Sequence, residues 1–215
     1  MRVLVLSGEN HRFDQSAEVI RGFLDAADGL EAQLESDKEI LASPALREFD
    51  VCLFGTGFTR AVVGPDGEVV RERDLTPAQE DGLFEYVAGG GGLAGVHGTA
   101  WWVDARAVTL LGGHANWHPP GLTFTVNIED SSHPVTRGLS DFEVEDEIYM
   151  SAWDPGLRVL ATAEWSGKQH PLAWVKPYGA GRVFYTALGH GPGTFARLGM
   201  QQMMTQGVRW AGGSL

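Results

Sequence analysis

The chain has 215 residues and is poor in cysteine, basic clusters and long apolar runs. Its single cysteine, Cys52, excludes disulfide bonds within the chain, and its place in the apolar run 51–54 predicts a buried thiol. No stretch approaches the roughly 18 apolar residues of a membrane span. The N-terminal apolar run is too short for a signal peptide. We therefore expect a cytoplasmic protein that does not associate with membranes.

Basic residues are scarce as well. The chain has 16 lysines and arginines against 28 acidic residues, which gives a formal net charge of −12. Binding to phosphate backbones depends on clustered basic side chains, so nucleic acid is not an expected partner. Nothing in the sequence indicates a nucleotide cofactor. Hydrophobic residues make up 43% of the chain, an ordinary globular balance. One domain over residues 1–215 is the expected organisation.

Strands and helices alternate in the first half. Short apolar runs predict buried strands at 2–6, 50–54 and 92–97, and the segment 31–36 is predicted to be the second strand. Helical spacing or capping signals predict helices at 16–27, 76–88 and 105–113. A Pro-Asp-Gly turn within residues 62–75 predicts an inserted hairpin or loop. The segment 112–121 (GGHANWHPPG) is interpreted as a loop. This alternation is typical of an α/β protein with a mainly parallel sheet.

The second half is richer in strands. Strand-like segments are predicted at 122–130, 143–153, 157–165, 171–179 and 181–189, and an amphipathic helix at 194–212 closes the chain. The segment 181–189 should be a central strand, because it shows no alternation between apolar and polar residues. Its core residues would be Val183, Phe184, Tyr185 and Leu188. We expect the β-rich half to be an addition to the α/β sheet.

Histidines follow several of the predicted strands. His11 follows the first strand, His97 the fourth, and His190 the strand at 181–189. The carboxyl ends of parallel strands share one rim of the sheet, where ligands bind in such folds, so these side chains should lie close together. His114 and His118, in the segment after the next helix, are placed to fold over that rim. Ordinary structural roles for each histidine are the alternative.

An acidic pair, Asp146–Glu147, stands close to Tyr149 in the sequence. Histidines and carboxylates are the residue types of zinc or manganese sites and of acid–base catalysis. The predicted catalytic residues are His97, His190, Asp146 and Glu147, and the predicted ligands of a divalent metal are His11, His97, His114 and His190. Their spacing matches no known metal motif, and a solvated strand end is the alternative for the acidic pair.

Aromatic residues are numerous near the predicted rim. Flat rings beside polar groups are how proteins hold sugars, so Trp101, Trp102, Trp117 and Tyr149 are predicted to bind a carbohydrate. Core packing is the alternative for each of them. His133 and His170 both precede proline, which favours structural roles in extended segments. The tryptophan- and methionine-rich ends of the chain are compatible with a homodimer.

Four stretches resemble one known family. They are GGGGLAGVHGTAWW at 89–102, HPVTRGL at 133–139, DEIY at 146–149 and PLAWVKPYGAGRVFYTALGH at 171–190. In order and spacing they are similar to the ThuA-like (trehalose utilisation) family, over nearly the whole chain. The resemblance implies a flavodoxin-like α/β fold similar to class I glutamine amidotransferases. That fold has a mainly parallel sheet and helices on both faces, here with an added β-rich region in the C-terminal half.

The resemblance also bears on the chemistry. Class I glutamine amidotransferases carry a nucleophilic cysteine in a tight turn after the fourth buried strand, and His97 stands at that position here, between Val96 and Gly98. Thiolate-dependent hydrolysis of glutamine is therefore excluded at this turn. Gly95 and Gly98 are expected to permit a tight, strained backbone at this turn, and we attribute that strain to a function of His97.

The family's association with sugar metabolism implies a carbohydrate-utilisation enzyme that acts on a sugar or keto-sugar. By likeness, its functional positions are His11, His97, His114, His190, Asp146 and Glu147, with His11 only a partial match to the family's first loop. Two other hypotheses remain: a sugar-binding or regulatory module without catalytic activity, and a metal-dependent hydrolase of a non-sugar substrate. Substrate binding and metal content would distinguish them.

Overall fold

A computed structural model describes all residues from 1 to 215. The strands are β1 (Arg2–Leu6), β2 (Glu31–Glu35), β3 (Val51–Phe54), β4 (Thr59–Val63), β5 (Val69–Arg73), β6 (Gly92–Val96), β7 (Gly113–Trp117), β8 (Leu122–Ile128), β9 (Phe142–Asp146), β10 (Met150–Trp153), β11 (Arg158–Trp165), β12 (Lys168–Tyr178) and β13 (Gly181–Thr186). The helices are α1 (Phe13–Asp25), α2 (Pro77–Ala88), α3 (Ala105–Leu111), α4 (Pro192–Phe195) and α5 (Leu198–Ala211). The chain is an α/β protein, as predicted.

Nine strands form one mixed sheet in the order β2-β1-β3-β6-β13-β12-β11-β8-β9. The first five are parallel, and their order is that of flavodoxin-like folds. The other four are antiparallel. The prediction of a mainly parallel sheet therefore holds for only half of it. Two-residue turns join β11 to β12 and β12 to β13, and such turns cannot make the crossover that parallel strands require.

Strand β13 lies in the middle of this sheet, between β6 and β12, as predicted. Val183, Phe184, Tyr185 and Leu188 are all fully buried. Successive side chains on a strand point to opposite faces. Phe184 packs under α5, where Gly207 leaves room for its ring, and Tyr185 faces the opposite side, which α3 covers. Helices therefore cover both faces of the sheet.

Several predicted elements have different limits. Helix α1 begins at residue 13, three residues earlier than predicted. The predicted closing helix is divided into α4 and α5, with Arg197 in an extended conformation between them. Helix α2 has the predicted capping box between Thr76 and Gln79 and proline at its first position. The predicted insertion forms the β4–β5 hairpin, which pairs only with itself.

The segment predicted as a loop at 112–121 contains a strand instead. Residues Gly113–Trp117 form β7, which pairs antiparallel with β10. Its partner is more than thirty residues away in the sequence, so no local turn signal announced the pairing. The predicted strand at 143–153 is broken into β9 and β10, and residues 147–149 between them enter the candidate site.

The single thiol lies in the core. Cys52 is fully buried in β3, and burial raises its pKa to about 12. This placement agrees with the prediction of a structural thiol. None of the helices combines the length and apolar character that crossing a bilayer requires.

Candidate functional site

His97 occupies the turn that follows β6. Its backbone has φ of 42°, in the left-handed region that non-glycine residues seldom adopt. The sequence attributed this strain to Gly95 and Gly98, but neither has a positive φ. Gly98 serves another purpose: a Cβ there would lie 2.4 Å from Cδ2 of His11, so only glycine lets the two turns approach this closely. The strain is therefore borne by His97 itself.

Hydrogen bonds fix the orientation of the His97 ring. Its Nδ1 lies 2.7 Å from the carbonyl oxygen of Ala187. A carbonyl only accepts, so Nδ1 carries the proton, and in the neutral ring Nε2 is an acceptor. The hydroxyl of Tyr149 donates to Nε2 at 2.8 Å, and the hydroxyl of Tyr185 donates to the His97 carbonyl at 2.8 Å. The ring is buried and cannot easily turn.

His11, His97 and His190 meet at one rim of the sheet. The ring centroids are 4.9 Å apart for His11 and His97, 5.4 Å for His97 and His190, and 6.1 Å for His11 and His190. One nitrogen from each ring lies within 4.8 Å of the other two. The ends of β1, β6 and β13 thus bring together three imidazoles that are far apart in the sequence. We call these residues the histidine cluster.

Glu147 joins the histidine cluster from the segment between β9 and β10. Its Oε1 lies 3.1 Å from Nδ1 of His190. Its Oε2 lies 3.5 Å from Nε2 of both His97 and His118. This oxygen is buried and accepts no hydrogen bond. A buried oxygen without a partner is costly, so it marks a position where a ligand or proton could be accommodated.

The surroundings shift the pKa values of these groups in different directions. Burial, with the neighbouring His97, lowers the pKa of His11 to about 3. The hydrogen bond from His190 to Glu147 outweighs partial burial and raises the pKa of His190. Burial alone would raise the pKa of Glu147, but the hydrogen bond from His190 and the closeness of the His97 and His190 rings outweigh it, and the pKa falls below its usual value. At neutral pH, His11 is therefore uncharged and Glu147 is ionised.

Asp146 does not face the histidine cluster as its sequence neighbour Glu147 does. Its carboxylate accepts hydrogen bonds from the backbone amides of Gly189 and His190, at 2.8 and 3.2 Å. The hydroxyl of Thr194 also donates to it, at 2.6 Å. These bonds tie the end of β13 to the end of β9. Asp146, predicted as catalytic, thus holds His190 in place and has its oxygens occupied by the protein.

Of the two histidines in the segment 112–121, His118 contacts the site and His114 does not. His114 lies on β7 and is not part of the histidine cluster. His118 was not among the predicted site residues, yet it reaches Glu147. Its Nδ1 donates to the carbonyl of Pro119 at 2.7 Å, which leaves Nε2 facing the carboxylate. The sequence signal was its place in the segment 112–121, which was expected to fold over the rim. His133 and His170 lie away from the cluster, on 131–139 and β12.

The predicted sugar-binding aromatics fall into two pairs. Trp101 and Tyr149 are buried beside His97 and His118, with ring centroids 4.9 Å apart. Trp102 and Trp117 are about half exposed, and Trp117 packs against Trp165. The first pair forms the wall behind the histidine cluster, and the second pair lies on the surface.

A polar cavity opens at Glu147 and His190. Its volume is about 320 Å³, and no apolar side chain lines it. The lining residues are Gly121, Glu145, Asp146, Glu147, His190, Gly191, Gly193, Thr194 and Arg197. None of the four predicted sugar-binding aromatics is among them. Such a surface suits a small ligand rich in hydroxyl or carbonyl groups.

Comparison with solved structures shows the same fold elsewhere. A putative ThuA-like protein from Parabacteroides merdae has a TM-score of 0.76 and 19% identity, with 98% of this chain and 89% of that chain covered. One from Bacteroides uniformis has a TM-score of 0.76 and 20% identity, covering 98% and 91%. A beta-galactosidase from Bacillus circulans has a TM-score of 0.64 and 12% identity, covering 96% of this chain and 31% of that one.

Sequence comparison supplies the family. No curated protein matches the chain. The family model ThuA, described as trehalose utilisation, matches residues 2–211. That match spans both halves of the sheet and the turns that carry His11, His97, Glu147 and His190. The chain belongs to the ThuA (trehalose utilisation) family.

Proposed function

We propose that the protein is a cytoplasmic enzyme of carbohydrate utilisation that acts on a sugar or keto-sugar in the polar cavity beside Glu147. The family, described as trehalose utilisation, supports the substrate class. The cavity supports it too, because its lining has hydrogen-bonding groups and no apolar side chain. A hydroxylated ring can exchange its hydrogen bonds with water for bonds to such a lining.

The carboxylate of Glu147 is the observation that carries the proposal. It lines the cavity, its Oε1 is held by His190, and its buried Oε2 has no hydrogen-bond partner. An ionised carboxylate in that state is a general base with a vacant position for a proton. His118, whose side chain is 29% exposed, lies 3.5 Å from the same oxygen and connects it to solvent. Glu147 and His118 therefore form a path for proton transfer.

A keto-sugar is a substrate class on which this carboxylate can act as a base. The C–H bond beside its carbonyl is acidified, and a carboxylate that is ionised at neutral pH can accept the proton. The C–H bond breaks, its electron pair forms a carbon–carbon double bond, the carbonyl oxygen takes the negative charge, and the proton goes to the carboxylate of Glu147. Return of the proton to the same carbon on its other face inverts that centre. Return to the former carbonyl carbon, while the proton of the neighbouring hydroxyl moves to the enolate oxygen, shifts the carbonyl. If the enolate instead re-forms the carbonyl and a group leaves with the bonding electrons from the carbon next to the deprotonated one, the result is an elimination.

Glutamine hydrolysis is not part of this proposal. His97 stands where the amidotransferases place their nucleophilic cysteine, and its Nδ1 and Nε2 are both hydrogen-bonded. Cys52 is buried in the middle of β3, with its pKa raised to about 12 by burial, so no thiolate is available to attack an amide.

Solvent deuterium exchange tests the proposal directly. The protein, purified without a histidine tag, is incubated in D₂O with a 3-keto-glucoside, and proton NMR follows the signals of the hydrogens beside the carbonyl. Wild-type protein should accelerate their loss over buffer. Glu147→Gln should slow the exchange by at least about 10²-fold, as expected for a general base. Glu143→Gln is the matched control, since Glu143 lies on β9, the strand that ends just before Glu147, and is exposed and outside the cavity.

The other hypotheses give different results in this experiment. A sugar-binding or regulatory module would bind the keto-sugar without exchange. A hydrolase of a non-sugar substrate would neither bind it nor exchange its hydrogens. Exchange that persists unchanged in Glu147→Gln would contradict the role given to this carboxylate.

A further inference from the structure

We propose that His11, His97 and His190 form a binding site for a divalent transition-metal ion, with Zn²⁺ the best match. This inference rests on the proposed function for its chemical role, but its geometry is independent of any substrate. Three imidazole nitrogens with an open fourth position are the ligand set of catalytic zinc sites. Manganese prefers oxygen ligands, and the cluster supplies nitrogen.

The hydrogen bonds around the histidine cluster are those of metal ligands. His97 donates from Nδ1 to the carbonyl of Ala187, and His190 donates from Nδ1 to the carboxylate of Glu147. Metal-ligating histidines almost always donate their other ring N–H to a carbonyl or carboxylate, which fixes the tautomer and orients the ligating nitrogen. In both residues this leaves Nε2 as the ligand atom.

His11 completes the set from the other side. The hydrogen bonds of its loop are made by Asn10, which donates to the carbonyls of Thr56 and Thr59, and not by the His11 ring. Its imidazole is therefore unengaged next to His97. Both His11 and His97 have left-handed backbones, with φ of 52° and 42°. Two strained non-glycine residues with adjoining rings are difficult to explain by packing, and such strain concentrates at ligand sites.

The distances require a small contraction. The three nitrogens lie within 4.8 Å of one another, whereas tetrahedral zinc with Zn–N bonds near 2.05 Å holds them about 3.4 Å apart. The side chain of His190 is 50% exposed and can move by this amount, whereas His97 is fixed. Zinc at Nε2 of His97 would replace the hydrogen bond from Tyr149, so removing that hydroxyl should not weaken zinc binding.

A zinc ion here would complement Glu147. When bound, it polarises a substrate carbonyl as a Lewis acid and so acidifies the neighbouring C–H bond. Glu147 keeps its Oε2 for the proton, because only its Oε1 is used to orient His190. The three histidines and Glu147 thus have separate tasks at one site.

Direct metal binding tests the inference without a substrate. Untagged protein is stripped with EDTA, mixed with one equivalent of ZnCl₂ and desalted, and the retained zinc is counted by mass spectrometry. Competition with a fluorescent chelator gives the Kd. One zinc per chain is expected. His11→Ala and His190→Ala should each weaken binding by at least about tenfold. His114→Ala, a histidine outside the cluster, should bind as wild type does, and Tyr149→Phe at least as tightly.

Cobalt gives a second readout. Co²⁺ in place of zinc should show the strong visible absorption of tetrahedral coordination, and His190→Ala should lose it while its circular dichroism stays that of the wild type. No retained zinc, or equal affinity in wild type, His11→Ala and His190→Ala, would overturn the inference. If zinc is absent but Glu147-dependent deuterium exchange occurs, the metal site fails and the proposed function stands. If zinc is bound but no keto-sugar exchanges its hydrogens, the metal site stands and the proposed function fails.

Discussion

The hydroxyl of Tyr149 lies 2.8 Å from Nε2 of His97, and both side chains are buried. With the bond from Nδ1 to Ala187, every polar atom of the His97 ring has a partner inside the protein. His97 is therefore part of the core as well as part of the site.

We predict that His97→Ala lowers the free energy of unfolding by about 2–4 kcal/mol. The substitution leaves a cavity and removes the partners of the Ala187 carbonyl and the Tyr149 hydroxyl. Urea denaturation measures the change. His114→Ala, on β7 and without a side-chain hydrogen bond, should change stability by less than about 0.5 kcal/mol. A loss below about 1 kcal/mol in His97→Ala would contradict the packing described here.

Gly98→Ala should damage the site through His11. The new Cβ would lie 2.4 Å from Cδ2 and 2.9 Å from Nε2 of the His11 ring, so one of the two turns must shift. Overpacking of this kind typically costs about 1–3 kcal/mol. Thermal unfolding measures the loss. Gly193→Ala is the matched control, because its Cβ would meet nothing within 4 Å. Equal effects of the two changes would show that Gly98 is not needed for the approach of His11.

The histidines should make opposite contributions to pH dependence in the metal-free protein. The folded pKa of His11 is about 3 against 6.5 for the free side chain, so the unfolded chain binds a proton first as the pH falls. Its stabilisation is therefore present above pH 6.5 and lost as the pH falls from 6.5 towards 3. The raised pKa of His190 acts the other way: its stabilisation is present below pH 6.5 and lost as the pH rises through the folded pKa.

Two variants separate these contributions. In urea unfolding across this pH range, His11→Gln should flatten the acid side of the stability profile, and His190→Gln should flatten the alkaline side. Proton NMR of the ring Cε1–H signals gives the same assignment residue by residue. A His11 signal that titrates near 6.5 in the folded, metal-free chain would show that its ring is not buried against His97.

Asp146→Asn should release the loop that carries His190. The carboxylate accepts the amides of Gly189 and His190 and the hydroxyl of Thr194, and hydrogen bonds to a charged acceptor contribute about 1.5–3 kcal/mol each. Hydrogen exchange of the two amides should accelerate, and stability should fall by at least about 2 kcal/mol. The backbone amide of Glu147 also donates to this carboxylate, so Thr194→Val removes one of four hydrogen bonds and should have the smaller effect. Unchanged amide exchange in Asp146→Asn would refute this positioning role.

The parallel half of the fold could be predicted from the sequence because its signals are local. Strands β1, β3, β6 and β13 are apolar runs buried on both faces, and the rule that their carboxyl ends share a rim places His11, His97 and His190 together. Pairing between distant segments has no local signal. Strand β7 pairs with β10, more than thirty residues further along the chain, and His118, just after β7, lies 3.5 Å from Glu147, just before β10.

The sequence could not distinguish the roles of adjacent residues of the same type. Asp146 and Glu147 are adjacent and chemically alike, yet one binds backbone amides and the other faces three histidines. The difference arises because β9 ends at Asp146 and the following residues turn towards the histidine cluster. Aromatic residues near a predicted rim could likewise not be sorted into the buried Trp101 and the exposed Trp102 by composition.

The most direct test of the central claim, that a sugar or keto-sugar binds where His190 and Glu147 meet the cavity, is the melting temperature with and without a 3-keto-glucoside. Ligands that bind only the folded state raise the melting temperature. We predict an increase for wild type and for His114→Ala, and none for His190→Ala at the same ligand concentration. An equal increase in His190→Ala, or no increase in wild type with any sugar or keto-sugar, would contradict the account.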